Sequence, residues 1–420
     1  MQFEMTTLKN GLRVITSTRS HLETVSLGIW VNTGAAFEKE AVNGISHFFE
    51  HMSFKGTTTR NALQISEEIE DVGGQMNAYT SREFTAFYAK MLKNDAELAV
   101  DVLCDILQNP TFPQNELEKE REVVVQEIKQ TLDTPDDIVF DYMQETAFPD
   151  QALGRTILGP IEKVRSFDGD TLKSYIKTNY GAKNMVACAV GNISHADFVR
   201  MIEQRLGNFR SETDFVPDAQ KYKGGFFVEE KDIEQAHVLL GFEGYRYFSE
   251  NYYPALVFST LFGGGMSSRL FQEIREKRGL VYTVYSFSNS HTQSGLFGIY
   301  AGTSKDELLE YMPVLCDEIN KVRLDKVSDK ELQRAKVQLK ASLLMGMESS
   351  SSTTEVLARQ MLLFNRIIPT QEMVERIENV SKEDIRTIAN ALFAGKPTYT
   401  LLGSLGKYMA YDDLEKRLKI

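Results

Sequence analysis

Apolar residues recur along this chain with two periods. Runs rich in β-branched and aromatic residues predict strands, and runs with apolar positions three or four apart predict helices. In the first half, "TVSLGIWVNTG" reads as a strand and "NGISHFFEHMSF" as a helix. "TTTRNALQISEEIEDVGG" predicts a helix with threonines placed to cap its start and glycines placed to stop it. "QMNAYTSREFTAFYAKML" predicts two strands. "NDAELAVDVLCDILQNP" and "PQNELEKEREVVVQEIKQTLDT" predict amphipathic helices that close ahead of Pro110 and Pro135. The strand "NMVACAVGNI" and the helix "SHADFVRMIEQRL" complete this half.

The second half repeats that order. "DELLEYMPVLCDEINKV" resembles "AELAVDVLCDILQ", and their cysteines, Cys104 and Cys316, are 316 − 104 = 212 residues apart. The strand-ending glycines of "YGAKNMVACAVG" and "FAGKPTYTLLG", Gly191 and Gly403, are also 403 − 191 = 212 apart. Two landmarks with one offset predict an internal duplication. The fold class expected is α+β: two duplicated domains, each a mainly antiparallel sheet with helices packed on one face. The polar stretch "RSETDFVPDAQKYKGG" marks the boundary. Residues 1–212 form one domain, 213–225 a linker and 226–420 the second domain.

Composition adds limits rather than a function. A chain of 420 residues exceeds one ordinary core. With 42% hydrophobic and 25% charged residues it reads as globular, and no apolar run reaches the length of a membrane span. The start shows neither secretory nor transit-peptide character. Three cysteines, Cys104, Cys188 and Cys316, form no disulfide framework. A reducing compartment is expected, cytoplasmic in a bacterium, with a mitochondrial matrix also compatible. The formal charge of −12 argues against nucleic acid as the main partner and is compatible with basic ligands.

Chemistry enters at "GISHFFEHMSFKGT", where His47, Glu50 and His51 stand as H-x-x-E-H. Residues four apart share a helix face, so His47 and His51 can place two imidazole nitrogens on one metal ion. A catalytic zinc takes three protein ligands and leaves a position for water, whose proton a nearby carboxylate removes. Glu50 suits that base. In "ELEKEREVVVQEI", Glu120 and Glu127 lie seven residues apart, two helical turns, on a helix whose valines predict partial burial. Glu127 can be the third ligand, and Glu120 can orient a ligand histidine. At the 212-residue offset, His47, Glu50, His51 and Glu127 meet Ser259, Phe262, Gly263 and Leu339, so the fold itself does not require the motif. His21, His195, His237 and His291 read as surface or structural residues. Asp137 and Asp141, in the predicted helix "TPDDIVFDYM", share a face one turn apart.

These segments resemble the M16 (pitrilysin-type) metallopeptidases, and among them the processing-peptidase branch: the mitochondrial β-subunit and its short bacterial relatives. The resemblance spans nearly the whole chain, with Phe49 where leucine is commoner. It implies one Zn2+ per chain on His47, His51 and Glu127, Glu50 as base and Glu120 as the accompanying acid. It implies that "NAYTSREFT" is an edge strand on which a peptide is laid, with Asn77 contributing and Ala78 acting through its backbone. "REKRGLVY" resembles an element whose Arg275 and Tyr282 would hold the substrate carbonyl and the oxyanion. Asp137 and Asp141 match an acidic pair that receives an arginine two residues before the cut bond. Phe54 matches a position contacting the residue after it. The glycines Gly263 to Gly265 stand where a relative has a longer glycine-rich loop, and a plain turn explains them equally well. The fold implied is one half of a clamshell, so a homodimer is expected. The expected activity is a zinc endopeptidase acting on peptides or unfolded, presequence-like segments. The alternative is a non-catalytic structural or partner subunit of the same family.

Overall fold

The computed structural model describes residues 2–324 and 327–419. Its strands form two sheets. The first, β1 (Glu4–Thr7), β2 (Arg13–Thr18), β3 (Thr24–Val31), β4 (Gln75–Thr80), β5 (Thr85–Leu92) and β6 (Met185–Gly191), has the order β1-β2-β6-β3-β5-β4. The second, β7 (Gly225–Glu230), β8 (Ala236–Glu243), β9 (Thr283–Ser290), β10 (Gly295–Thr303) and β11 (Thr398–Gly403), has the order β7-β11-β8-β10-β9. Without β1, the orders are identical, and so are the strand directions. The pairs β2–β6 and β7–β11 are parallel and the rest antiparallel. Register carries the duplication: Thr18 faces Gly191 as Glu230 faces Gly403, both at the offset of 212.

The helices of the first half are α1 (Ile45–Ser53), α2 (Ala62–Glu70), α3 (Ala96–Gln108), α4 (Gln114–Leu132), α5 (Pro135–Ala147), α6 (Ile161–Ser166), α7 (Gly169–Asn179) and α8 (His195–Leu206). Those of the second are α9 (Tyr252–Gly263), α10 (Leu308–Leu324), α11 (Asp329–Gly346), α12 (Ser350–Phe364), α13 (Thr370–Glu378), α14 (Lys382–Ala394) and α15 (Tyr411–Leu418). One start differs from the sequence expectation. Asn61, not a threonine, caps α2, in a reciprocal pair with Gln64 (2.9 Å each way). Thr57 and Thr59 donate their hydroxyls to Asp105 instead (2.6 and 2.7 Å).

Each sheet packs its main helical layer on one face. In the first, Val25, Leu27, Ile29 and Val31 of β3 join residues of α1, α3, α4, α7 and α8 in one core. In the second, Val238, Leu240 and Phe242 of β8 join α9, α10 and α14. The opposite face of each sheet is covered by a helix from the other half of the chain. Residues up to Lys129, Arg155–Asp218 and Leu344–Pro369 form one compact unit. Gln130–Gly154, Ala219–Leu343 and the residues from Thr370 onward form the other. So α12 covers the first sheet, with Leu357, Ala358 and Met361 packed on Ile15, Trp30 and Val186. Glu355 fastens it by accepting from Trp30 Nε1 (2.8 Å) and Tyr79 Oη (2.5 Å). Reciprocally, α5 lies on the second sheet, where Phe140 meets Phe287 and Tyr300 and Tyr142 meets Phe227. Two contiguous domains divided near residues 213–225 therefore describe the sheets but not these two exchanged helices.

Candidate metal centre

Helix α1 is anchored before it presents any chemistry. Ile45, Phe48, Phe49 and Met52 are buried in the first core. Phe49 stands among Phe87, Phe112, Tyr175 and Tyr180, with ring centroids 5.2–6.2 Å apart. The helix begins at Gly44 with φ +97°, where an added Cβ would lie 2.6 Å from Leu158 O, so only glycine fits. Glycine brings no capping side chain. The buried carboxylate of Glu38 supplies the cap, accepting from the N–H groups of Gly44 (2.7 Å) and Ser46 (2.8 Å) and from Asn43 Nδ2 (2.9 Å).

The polar stripe of α1 faces α4. His47 Nε2 and His51 Nε2 lie 3.6 and 3.5 Å from Glu127 Oε2. One donor atom from each of the three residues lies within 4.8 Å of the others. Bonds of about 2.0–2.1 Å in a tetrahedron put ligand atoms about 3.4 Å apart, and the two distances to Glu127 lie close to that value. Protonation also fits. Burial, and then the neighbouring His51, push the His47 pKa down to about 3, which keeps the ring neutral as a ligand must be. For His51, burial lowers the pKa. The Glu120 hydrogen bond and the charges of Glu127 and Glu50 outweigh it and raise the net value. Carboxylates that favour a proton there favour a cation in its place.

Glu120 is buried on the same helix. It meets His51 Nδ1 at 3.1 Å and Lys55 Nζ at 2.8 Å. With Nδ1 donating to Glu120, His51 Nε2 presents its lone pair towards Glu127. Val124 and Val125 are buried while Val123 is exposed, so α4 turns one stripe inward and carries both carboxylates on its margin.

Glu50 stands beside the cluster. Burial raises its pKa above the ordinary carboxylate value, and Glu127 adds to this against the hydrogen bonds of Thr80 and the charge of His51. One of its oxygens, Oε2, is buried without a hydrogen-bond partner in the protein, as is His47 Nδ1. Thr80, which lowers the Glu50 pKa from beside it and whose hydroxyl donates to Ser46 O (3.4 Å), ends β4, the open edge of the sheet. The Ala78 N–H, two residues back and so on the same side of the strand, is met by Asn77 Oδ1 at 2.8 Å. The open edge strand β4 thus ends beside Glu50. Phe54, just past α1, is half-buried, with its ring 6.4 Å from that of Phe87.

The other sequence candidates belong to the second unit. Arg275 is exposed on a wide helical turn, Phe271–Glu276, with its guanidinium 4.7 Å from the Phe271 ring. Tyr282 is 65% exposed just before β9. Asp137 and Asp141 lie one turn apart on α5, Asp137 exposed and Asp141 half-buried. Gly263 ends α9, where an added Cβ would meet the backbone nitrogen of Ser286, and Gly264 and Gly265 continue the turn. Sequence reasoning missed Glu38, Lys55 and Thr80. Each acts through a contact between segments that no local pattern marks.

The three side chains could hold a metal ion beside a buried carboxylate, and comparison with known proteins names the family. Residues 13–161 match the model described as Insulinase (Peptidase family M16), and residues 166–339 match the Peptidase M16 inactive domain. The chain belongs to peptidase family M16. It is 39% identical to an uncharacterized zinc protease of Rickettsia felis, over 96% of this chain and 97% of that one. It is 36% identical to an uncharacterized zinc protease of Bacillus subtilis, over 95% and 98%. It is 34% identical to a probable mitochondrial-processing peptidase subunit beta of Arabidopsis thaliana, over 98% and 80%. A protease from Helicobacter pylori of known structure shares the fold, with a TM-score of 0.89, 21% identity and coverage of 96% and 99%. The protein is thus a metallopeptidase with Zn2+ as its cofactor. Among the described residues no helix is long and apolar enough to cross a membrane.

Proposed function

We propose that this chain is an inverted-zincin endopeptidase that hydrolyses peptides or unfolded, presequence-like segments. The observation that carries the reading is the convergence of donor atoms from His47, His51 and Glu127 within 4.8 Å of one another, with the unpartnered oxygen of Glu50 beside them. A bound zinc ion supplies Lewis acidity towards water and the scissile carbonyl. The rest is assigned to the chain. The peptide adds as a strand to β4, its main chain taken by Ala78 and its approach set by Asn77. Glu50 takes the proton of the attacking water and returns it to the leaving amine. Glu120, held by Lys55, keeps His51 in the tautomer that ligates. Arg275 and Tyr282 supply donors to the carbonyl oxygen as charge develops there. Asp137 and Asp141 take an arginine two residues before the cut bond, a fork that a carboxylate pair suits, and Phe54 meets the residue after it.

The reading also assigns a homodimer, each chain forming one half of a clamshell around a chamber, in the cytoplasm of a bacterial cell. The three cysteines are buried and unpaired, which agrees with a reducing compartment. Mass mapping of the bonds cut in a peptide library tests the activity: cuts with arginine as the second residue before the bond (Arg-X↓) are expected, and no cutting by the zinc-loaded protein sinks it. Subunit mixing tests the shared site. Glu50→Gln and Tyr282→Phe homodimers should each be nearly inactive. After exchange about half the dimers are mixed, each with one whole site, so about one quarter of the activity should return. No recovery would assign Tyr282 to its own chain's site.

A further inference from the structure

The second unit contains a cavity of about 530 Å³, and of the residues that line it only Tyr282 has an assigned role. It lies at the first turn of α5, the start of β9 and the turn that precedes β8. The residues that give it character are Asp136, Glu234, His237, Tyr282, Tyr285 and Tyr300. The Tyr285 and Tyr300 rings lie 5.2 Å apart, and Tyr300 Oη meets His237 Nδ1 at 2.9 Å. Tyr300 and His237 are almost fully buried, which fixes this wall.

The charge on that wall is of one sign. Burial raises the Tyr285 and Tyr300 pKa values, and the charge of Asp136 adds to it, so both phenols stay neutral. Burial lowers the His237 pKa against the charge of Asp136 and keeps that ring neutral too. Asp136 and Glu234 are left as the formal charges, and no lysine or arginine lines the cavity. Both carboxylates are exposed, and neither has an ion pair or side-chain hydrogen bond among the described residues. Lys231, in the same turn, is turned to Leu132 O (2.9 Å) and Glu229 (3.7 Å).

Two tyrosine rings tilted 38° to one another beside two unpaired carboxylates suit an organic cation. A guanidinium fits better than an ammonium, because its plane stacks on the rings while its edge donates to two carboxylates. The volume lies in the range of small-ligand sites and takes one long side chain easily. Tyr282 sits on the rim, so a peptide it touches passes the opening.

We propose that this cavity is a second arginine subsite, taking a guanidinium from the same peptide whose carbonyl Tyr282 holds. It is separate from the Asp137 and Asp141 pair, which does not line it. The proposal rests on the peptidase reading for its source of arginine, and its test does not need turnover. The protein to use is the zinc-loaded Glu50→Gln chain that also carries Asp137→Asn and Asp141→Asn, which removes the other candidate for arginine. Fluorescence anisotropy then compares labelled decapeptides with one arginine, one lysine or one citrulline at the same position. The arginine peptide should bind about tenfold tighter than citrulline, its neutral isostere, with lysine between them. Adding Asp136→Asn and Glu234→Gln, both exposed and remote from the core, should erase that difference. Equal binding of arginine and citrulline overturns the proposal, as does a preference that survives the added substitutions. Cleavage of the arginine peptide by the wild-type enzyme is scored separately. An uncut peptide that still shows the preference would refute the peptidase reading and leave the subsite standing.

Discussion

Helices α1 and α9 occupy the same place in two copies of one topology. At the 212-residue offset His47, Glu50 and His51 meet Ser259, Phe262 and Gly263, all three buried on α9. The apolar stripe is common to both helices, because each must cover its own sheet. What differs is the second stripe. On α9 it is filled by Phe262, stacked on Phe258 at 5.4 Å, and by the close approach of Gly263 to β9. On α1 it holds two imidazoles and a carboxylate that would be costly to bury unless paired. Glu120, held by Lys55, and Glu127 provide that pairing for the imidazoles, and Glu50 keeps one oxygen unpartnered. The comparison teaches that the fold needs one apolar face here and no polar one, so the polar cluster is an addition that the architecture tolerates.

The sharpest way to break this view is to remove chemistry without touching structure. Glu50→Gln keeps the shape of the side chain and removes the carboxylate proposed as base. Turnover should fall about 10²–10⁴-fold, while metal analysis still finds close to one zinc per chain and the unfolding curve does not move. Retained activity would take the proton-transfer role from Glu50. A lost zinc would make Glu50 part of the metal set rather than its neighbour.

The matching cut in the other copy should do the reverse. Phe262→Ala removes a fully buried ring and leaves a cavity among Phe258, Phe393 and the second sheet. A loss of about 3–5 kcal/mol of stability is expected, read by urea unfolding. Wild-type stability in that variant would mean that the second stripe of α9 is dispensable too, and the contrast between the copies would fail.

A smaller effect tests whether the polar cluster acts as a unit. Glu120 touches the expected ligand His51 from behind and is itself held by Lys55. Burial raises its pKa, but the hydrogen bonds and charges of His51 and Lys55 bring it below the ordinary value, so it is ionised as an acceptor. Glu120→Gln should weaken zinc binding about 10–100-fold in a competition titration with a chelating dye. Unchanged affinity would reduce Glu120 to a fold-stabilising acid.

How much of this was readable in advance follows from the range of each interaction. The H-x-x-E-H helix and the Glu120 and Glu127 helix were legible, because their information is spacing along one element. The duplication was legible from Cys104 with Cys316 and Gly191 with Gly403, and it returns as the strand register. The exchange of α5 and α12 was not legible. An amphipathic pattern says that a helix must bury a face, not which sheet receives it. Glu38 was hidden for a related reason: "AAFEKEAVNG" has two further charged residues, and only the folded chain brings Glu38 to the start of α1. The α2 cap was misjudged because nothing local shows that Asp105 claims the threonine hydroxyls.

The smallest effect concerns the two long helices that follow α1 and α9. Each carries an early carboxylate held by a cation from the stretch just past α1 or α9: Glu120 on α4 by Lys55, and Glu331 on α11 by Arg269. Glu120 has a histidine to orient, whereas Glu331 has none. Glu331 accepts from Arg269 Nε (2.7 Å) and from the N–H and hydroxyl of Ser328 (2.9 and 2.7 Å), a reciprocal cap at the start of α11. Burial raises its pKa, but these donors outweigh it and bring the value down to about 2 from the ordinary 4.5. A depressed carboxylate pKa means that the unfolded chain binds the proton more tightly. The stability it gives is therefore present above pH 4.5 and is lost as pH falls towards 2. Because the pair is partly solvated, the whole contribution should be no more than about 1 kcal/mol. Glu331→Gln should lower stability by that amount at neutral pH, leave zinc affinity unchanged, and converge on the wild type as the pH approaches 2. Denaturant unfolding across that pH range, with a zinc titration at pH 7, checks both halves. A difference that stays constant with pH would show that the carboxylate acts by shape alone. A loss of zinc would show that the two copies are coupled where the comparison treats them as separate.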